Sequence, residues 1–281
     1  MPDGGNVAYY YDGSFDGMLC CVFESYAAKE IPDEILPPEA LQATFLPAKA
    51  IVTDKMKAER VRKSIPEKMG AQAYDFIRHA FLTNIDGKEY RLLLFIRLGF
   101  KHGPKVMRMI SEDAVYTLLK AVRHLNNESH LLKGFIRFSA FHGALVAEIE
   151  PKNIVLPLLA KHFRERFPGE RFIIFDRTND MALIYEPYRH RIIPASGVEL
   201  PEPDEAEQKI RELWKLFYNT IEVEGRYNPK CRMSHMPKHY WKYMTEFETP
   251  GKPSPCRAGT LKNPSGLSLP AASEDNSEDN F

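Results

Sequence analysis

The stretch "GFIRFSAFHGALVAEIE", Gly134 to Glu150, is where the apolar period of this chain changes. "GFIRFSA" and "ALVAEIE" alternate on either side of Phe141-His142-Gly143, which predicts a β-hairpin. Downstream, Asn153 is placed to cap a helix over "IVLPLLAKHFRERF", with Pro157 in the first turn, where a missing N–H is tolerated. Pro168-Gly169 ends that helix, and "RFIIFD" and "MALIYE" form a second hairpin around Arg177-Thr178-Asn179-Asp180. The expected fold class is α+β: a helical segment, then a ββαββ unit whose two hairpins share one antiparallel sheet with the helix on a face.

Upstream the period is helical. Ser111 heads "EDAVYTLLKAVRHLNNESHLL", in which Val115, Leu118, Leu119, Val122, Leu125 and Leu132 share a face. "AQAYDFIRHAFLTN" ends at Asp86-Gly87, and "KEYRLLLFIRLGFKHGP" stops where Gly103 supplies a cap and Pro104 a breaker. A short extended pair is expected around "ATFLPAKAIVT". The amino terminus, "YYYDGSFDGMLCCVFESY" from Tyr9 to Tyr26, reads as strand, turn and helix. Three tyrosines suit a half-buried strand, Asp12-Gly13 and Asp16-Gly17 are turn chemistry, and Asp16 is a candidate cap. Cys20 and Cys21 are expected to be structural, with one facing the core.

One more amphipathic helix covers "DEAEQKIRELWKLFYNTI" and stops near Gly225. Residues 250–281, rich in Pro, Ser, Gly and Asn, read as a disordered tail, because they bury too little to offset their ordering entropy. Residues 1–249 are thus expected to form a single α+β domain, with a mainly helical part (1–133) and a sheet-containing part (134–249).

With 281 residues, 44% hydrophobic, the chain can bury a sizeable core. Four cysteines make no disulfide framework and point to a reducing cytoplasm. No signal peptide, no membrane span and no cofactor motif is recognisable. The zero net charge conceals an asymmetry: residues 1–50 carry 2 basic and 8 acidic side chains, residues 51–171 carry 22 and 13. A positive middle is compatible with a polyanion partner.

The richest local stretch is "RYNPKCRMSHMPKHYWKY", Arg226 to Tyr243. Its bases Arg226, Lys230, Arg232 and Lys238 can engage phosphates while Tyr240 and Trp241 stack on exposed bases. The plainer reading is a basic segment whose aromatics anchor it to the body. Cys231, His235 and His239 recur every fourth residue, but Pro237 interrupts the helix that would align them, and a fourth zinc ligand is missing, so no metal is expected. A second polar group surrounds the predicted hairpins. Glu128, His130, His162 and Asp176 are weak acid–base candidates, and Arg137, Arg164 and Arg166 are candidate phosphate contacts.

Several of these stretches resemble a bacterial family of DNA-repair or DNA-metabolism proteins. "YYYDGSFDGMLCCVFESY" resembles its opening, "ESHLLKGFIRF", "IEPKNIVLPLLAKHFRERFP" and "FIIFDRTND" its centre, and "NPKCRMSHMPKHYWKYMTEF" its close. The resemblance spans roughly residues 7–247. It implies a gene neighbour, a radical-SAM protein that repairs or modifies DNA, and a related domain fused ahead of some uracil-DNA-glycosylase-type domains. It carries no established catalytic residues. Glu128, His130, Phe135, Arg137, Glu150, Pro151, His162, Phe163, Arg166 and Asp176 fall on its motifs. The expectation is a cytoplasmic DNA-binding accessory partner of a radical-SAM enzyme, acting on single-stranded or damaged duplex DNA. A nucleic-acid-processing enzyme with His/carboxylate groups and a protein-binding scaffold are the alternatives.

Overall fold

The computed structural model describes residues 4–38, 45–198, 205–221 and 228–247. The expected tail, 250–281, and Arg226 lie outside them. The chain divides into two compact units, Met1–Asn127 and Glu128–Phe281.

The first unit opens with β1 (Gly4–Tyr10), α1 (Phe15–Ala27), β2 (Ile31–Leu36) and β3 (Ala48–Ala50). The three strands are parallel, in the order β2-β1-β3. The predicted strand–turn–helix is therefore present as the first part of a β-α-β crossover. The cap of α1 is Ser14, not Asp16: its side chain accepts from Gly17 N, while Asp16 pairs with Arg62. Both Cys20 and Cys21 are fully buried, rather than one of them. The Cys20 sulfur meets the backbone N–H and carbonyl of Asp54 at 3.3 Å, and burial raises both thiol pKa values, which keeps them protonated.

Four helices follow: α2 (Lys55–Met69), α3 (Ala71–Phe81), α4 (Lys88–His102) and α5 (Asp113–Phe135), with a 3-10 turn over Gly103–Arg108. Gly103 ends α4 at φ 65°, as its position before Pro104 predicts. Tyr9, Leu19, Ile65, Ile77, Leu92, Phe95 and Leu118 meet in one core.

The second unit contains β4 (Ser139–Phe141), β5 (Ala144–Ile149), α6 (Leu156–Arg166), β6 (Phe172–Asp176), β7 (Met181–Glu186) and β8 (Arg189–Pro194) in sequential order. The hairpin turn is the two-residue His142-Gly143, both at positive φ, the geometry that matches strand twist. The wholly antiparallel sheet is corrected here: β5 and β6 pair in parallel, since α6 carries the chain across and back. The sheet is mixed, and it has an additional antiparallel edge strand, β8. One face of α6 (Leu156, Leu159, Ala160, Phe163) is buried, and Phe163 joins Phe138, Phe167 and Phe172 in an aromatic cluster. Beyond the sheet come α7 (Glu205–Thr220), α8 (Pro229–His235) and 3-10 turns over Lys238–Tyr243 and Thr245–Phe247.

Gly17 is where the opening motif is least replaceable. A methyl there would fall against Asp12 Oδ1, within 2.9 Å of Tyr11 Cδ2 and 3.0 Å of Thr53 Oγ1. Gly17→Ala should destabilise the protein by about 1–3 kcal/mol through overpacking, as read from urea unfolding of the full chain. A change within experimental error would show that the Asp12 loop yields freely.

Candidate nucleic-acid interface

The closing segment, 228–247, is built on aromatic anchors. Trp241 stacks on Phe247 with ring centroids 4.3 Å apart, and its Nε1 donates to Met236 O at 3.0 Å. Tyr240 lies against Phe135 at 5.3 Å. Burial pushes its phenol up to about 12, so it stays protonated. The small cavity beside it, about 20 Å³ and lined in part by Leu132, Phe135, Ile149 and Tyr243, has room for one water molecule and no base. The plainer reading of Tyr240 and Trp241 is thus the one their contacts favour. Arg232 also turns inward, 5.5 Å from the Trp241 ring and 5.6 Å from the Phe247 ring. Lys230, His235 and Lys238 face solvent. Lys242 and the Tyr243 hydroxyl both meet Glu150, whose carboxyl they hold below its usual pKa although burial acts to raise it.

Arg137, a candidate phosphate contact, is engaged within the protein. It forks onto Glu246 through Nε (3.3 Å) and Nη2 (2.7 Å), and Trp214 Nε1 adds a third donor at 3.2 Å. The Glu246 side chain is 1% exposed. Burial acts to raise its pKa, but the Arg137 bonds and charge outweigh this and hold it low. No motif signals Glu246 in the sequence: it is an ordinary acid in "MTEF", and its partner lies 109 positions away. Arg164 approaches His190 of β8, Nη1 to Nδ1 2.9 Å, and Arg166 is exposed beside the Phe167 ring.

Two acid–base candidates serve the backbone. Glu128 is buried and accepts from Lys152 N, Asn153 N and Asn153 Nδ2 at 2.7–3.1 Å. Asn153 consequently caps no helix, and α6 begins after Val155. Asp176, also buried, accepts from Thr178 N, Asn179 N and Asn179 Nδ2, closing the β6–β7 turn. Asn179 Nδ2 also donates to Asn153 O, so the two carboxylates belong to one network. Burial raises the Asp176 pKa despite those bonds. The histidines stand elsewhere. His130 is exposed on α5, and half-buried His162 packs edge-on to Phe163 with its pKa lowered by burial and then by Lys133 and Arg166. Among the described residues neither histidine hydrogen-bonds a carboxylate. Cys231 and His235 lie on α8 and His239 against Tyr240, and no group of three metal-ligating side chains gathers among the described residues. α7 leaves Ile210, Leu213, Leu216 and Phe217 exposed.

A family model described as a domain of unknown function, DUF4130, matches residues 86–246. No curated protein matches the chain. A solved structure similar to it is a pGpG-specific phosphodiesterase, PggH, from Vibrio cholerae. It is 9% identical over 63% of this chain and 81% of the other, with a TM-score of 0.31. So low a score supports no argument about function. No described helix is long and apolar enough to cross a membrane.

Removing the Glu246 carboxylate leaves Arg137 and Trp214 Nε1 without their acceptor. Glu246→Ala should cost about 3–5 kcal/mol, the usual effect of orphaning half of a buried pair, in urea unfolding of the full chain. The acid side tests the same bond. Because the Glu246 pKa is depressed, its stabilisation is complete above the ordinary value of 4.5 and lost as pH falls through its own pKa. Wild type should lose stability more steeply below pH 4.5 than Glu246→Gln, against a background from Asp176, whose raised pKa works in the opposite direction. Parallel curves would mean that the pair contributes nothing.

Proposed function

The chain belongs to the DUF4130 family, and we propose that it is a nucleic-acid-binding accessory protein of the cytoplasm, without catalysis of its own. The observation that carries this reading is the division of labour among charges in the second unit. Glu128, Asp176 and Glu246 are buried and committed to backbone or arginine donors, while Lys230, Lys238 and Arg166 project into solvent. A general acid or base needs a free proton site within about 3 Å of a substrate atom, and these carboxylates already direct their lone pairs at fixed donors. Exposed cations on a rigid aromatic footing suit a phosphate backbone, whose recognition is electrostatic and tolerant of sequence.

The resemblance of the opening, central and closing motifs supplies the rest of the proposal. The protein presents single-stranded or damaged duplex DNA to a radical-SAM repair or modification enzyme. In this reading Arg137, Arg232, Tyr240 and Trp241 hold the closing segment in shape, and Lys230 and Lys238 touch the phosphates.

Fluorescence anisotropy with labelled single-stranded and duplex DNA at two salt concentrations tests it. Wild type should bind saturably and more weakly at high salt. Lys230→Glu with Lys238→Glu should weaken binding and reduce the salt slope by about one for each phosphate that is no longer neutralised. Unchanged binding in that double variant would remove the closing segment from the interface.

A further inference from the structure

The first unit sorts its charges along α2. Near its amino-terminal half three cations have carboxylate partners: Lys57 meets Glu24, Arg62 meets Asp16, and Lys49 of β3 meets Glu30. Asp54 caps the helix through Met56 N and Lys57 N. Asp16, Glu24 and Glu30, three acids of the first fifty residues, are engaged in these pairs. At the other end of α2 the situation reverses. Lys68 in its last turn, Lys101 and His102 in the last turn of α4, and Lys105 and Arg108 in the following 3-10 turn are all exposed. Among the described residues none of the five has a carboxylate partner, although Glu67 is exposed one position from Lys68.

These residues converge in space as well as in charge. The 3-10 turn packs on both α2 and α4. Lys68 Nζ lies 4.8 Å from the Phe100 ring centre, and a methyl on Gly103 would stand 3.5 Å from Lys68 O. Gly103 turns the chain at positive φ, and fully buried Val106 pins the turn, so Lys105 and Arg108 flank a fixed point. A bland account exists for three of the five, because cations in a last helical turn complement the helix dipole. It does not reach Lys105 and Arg108, which lie beyond both helices.

We propose that this end of the helical unit, Lys68, Lys101, His102, Lys105 and Arg108, is a second nucleic-acid contact that engages the phosphate backbone. The proposal rests on the reading of the protein as a nucleic-acid binder and adds a surface outside the closing segment. A nucleic acid fits better than a membrane surface. Interfacial binding scales with buried apolar area, and among the described residues the exposed large apolar side chains near the cations are Ile110 and Tyr26, the latter against Phe100.

The test uses the full chain and fluorescein-labelled single-stranded and duplex DNA at 50 and 200 mM salt. Three proteins are compared: wild type, the quadruple variant Lys68→Gln, Lys101→Gln, Lys105→Gln and Arg108→Gln, and the triple variant Lys68→Arg, Lys101→Arg and Lys105→Arg. The quadruple variant should bind at least about tenfold more weakly at the lower salt, with a salt slope reduced by up to about 3.6 on duplex DNA. The triple variant, which keeps the charge, should match wild type and so exclude a loss of folding. If wild type binds and the quadruple variant binds equally with the same slope, the second surface is refuted while the nucleic-acid reading stands. If wild type binds neither DNA at 50 mM, the nucleic-acid reading itself falls. Vesicles containing phosphatidylserine form the last arm. Retention of wild type, but not the quadruple variant, on vesicles without DNA binding would reassign the surface to a membrane and overturn the proposal.

Discussion

A carboxylate taken out of water must be met by fixed donors, and the second unit is organised around that requirement. Glu128 gathers the two backbone N–H groups that begin the approach to α6, and Asp176 closes the turn after β6. Glu207 of α7 accepts from Ala140 N on the edge strand β4 at 3.1 Å, a backbone group that the sheet leaves unpaired. Glu246 takes the Arg137 fork and the Trp214 indole, tying α7 and the closing turns to the residues after α5. Each bond answers a desolvation penalty of several kcal/mol. Removing Glu207 or Glu246 leaves donors stranded in different elements.

In the proposed function Glu128, Asp176 and Glu246 hold geometry rather than transfer protons, and among the described residues neither His130 nor His162 hydrogen-bonds a carboxylate. The proposed reading rests on positive charge at the surface. It occurs in both units: Lys68, Lys101 and Lys105 in the first and Lys230 and Lys238 in the second are exposed and have no carboxylate partner among the described residues. Phosphate is the ligand such surfaces suit.

Much of the fold was legible because it obeys local rules. Gly103 and Pro104 stop α4, the alternation on either side of His142-Gly143 makes β4 and β5, and Pro157 sits in the first turn of α6. The misreadings share a cause. Asn153 looks like a cap and is drawn away to Glu128, a partner that no local window contains. The parallel pairing of β5 with β6 follows from the crossover geometry of α6, which alternation does not encode. β8 escapes a sequence reading because Arg189, His190 and Arg191 give an edge strand that reads as charged loop, a common composition for edges that must avoid pairing with other chains. The site was legible as residue types and not as roles. "RMSHMPKHYWKY" announces bases and aromatics, but the packing of Tyr240 on Phe135 and of Trp241 on Phe247 is visible only in the structure.

Amide hydrogen exchange of the full chain, with and without saturating single-stranded DNA, tests the central claim most directly. The account predicts slowed exchange over residues 101–108 and 228–242, with the amides held by Glu128 and Asp176 unchanged. No protection anywhere, or protection confined to the Glu128–Asp176 network and the α6 segment bearing His162, would contradict it. The second result would point to a site built on those groups instead.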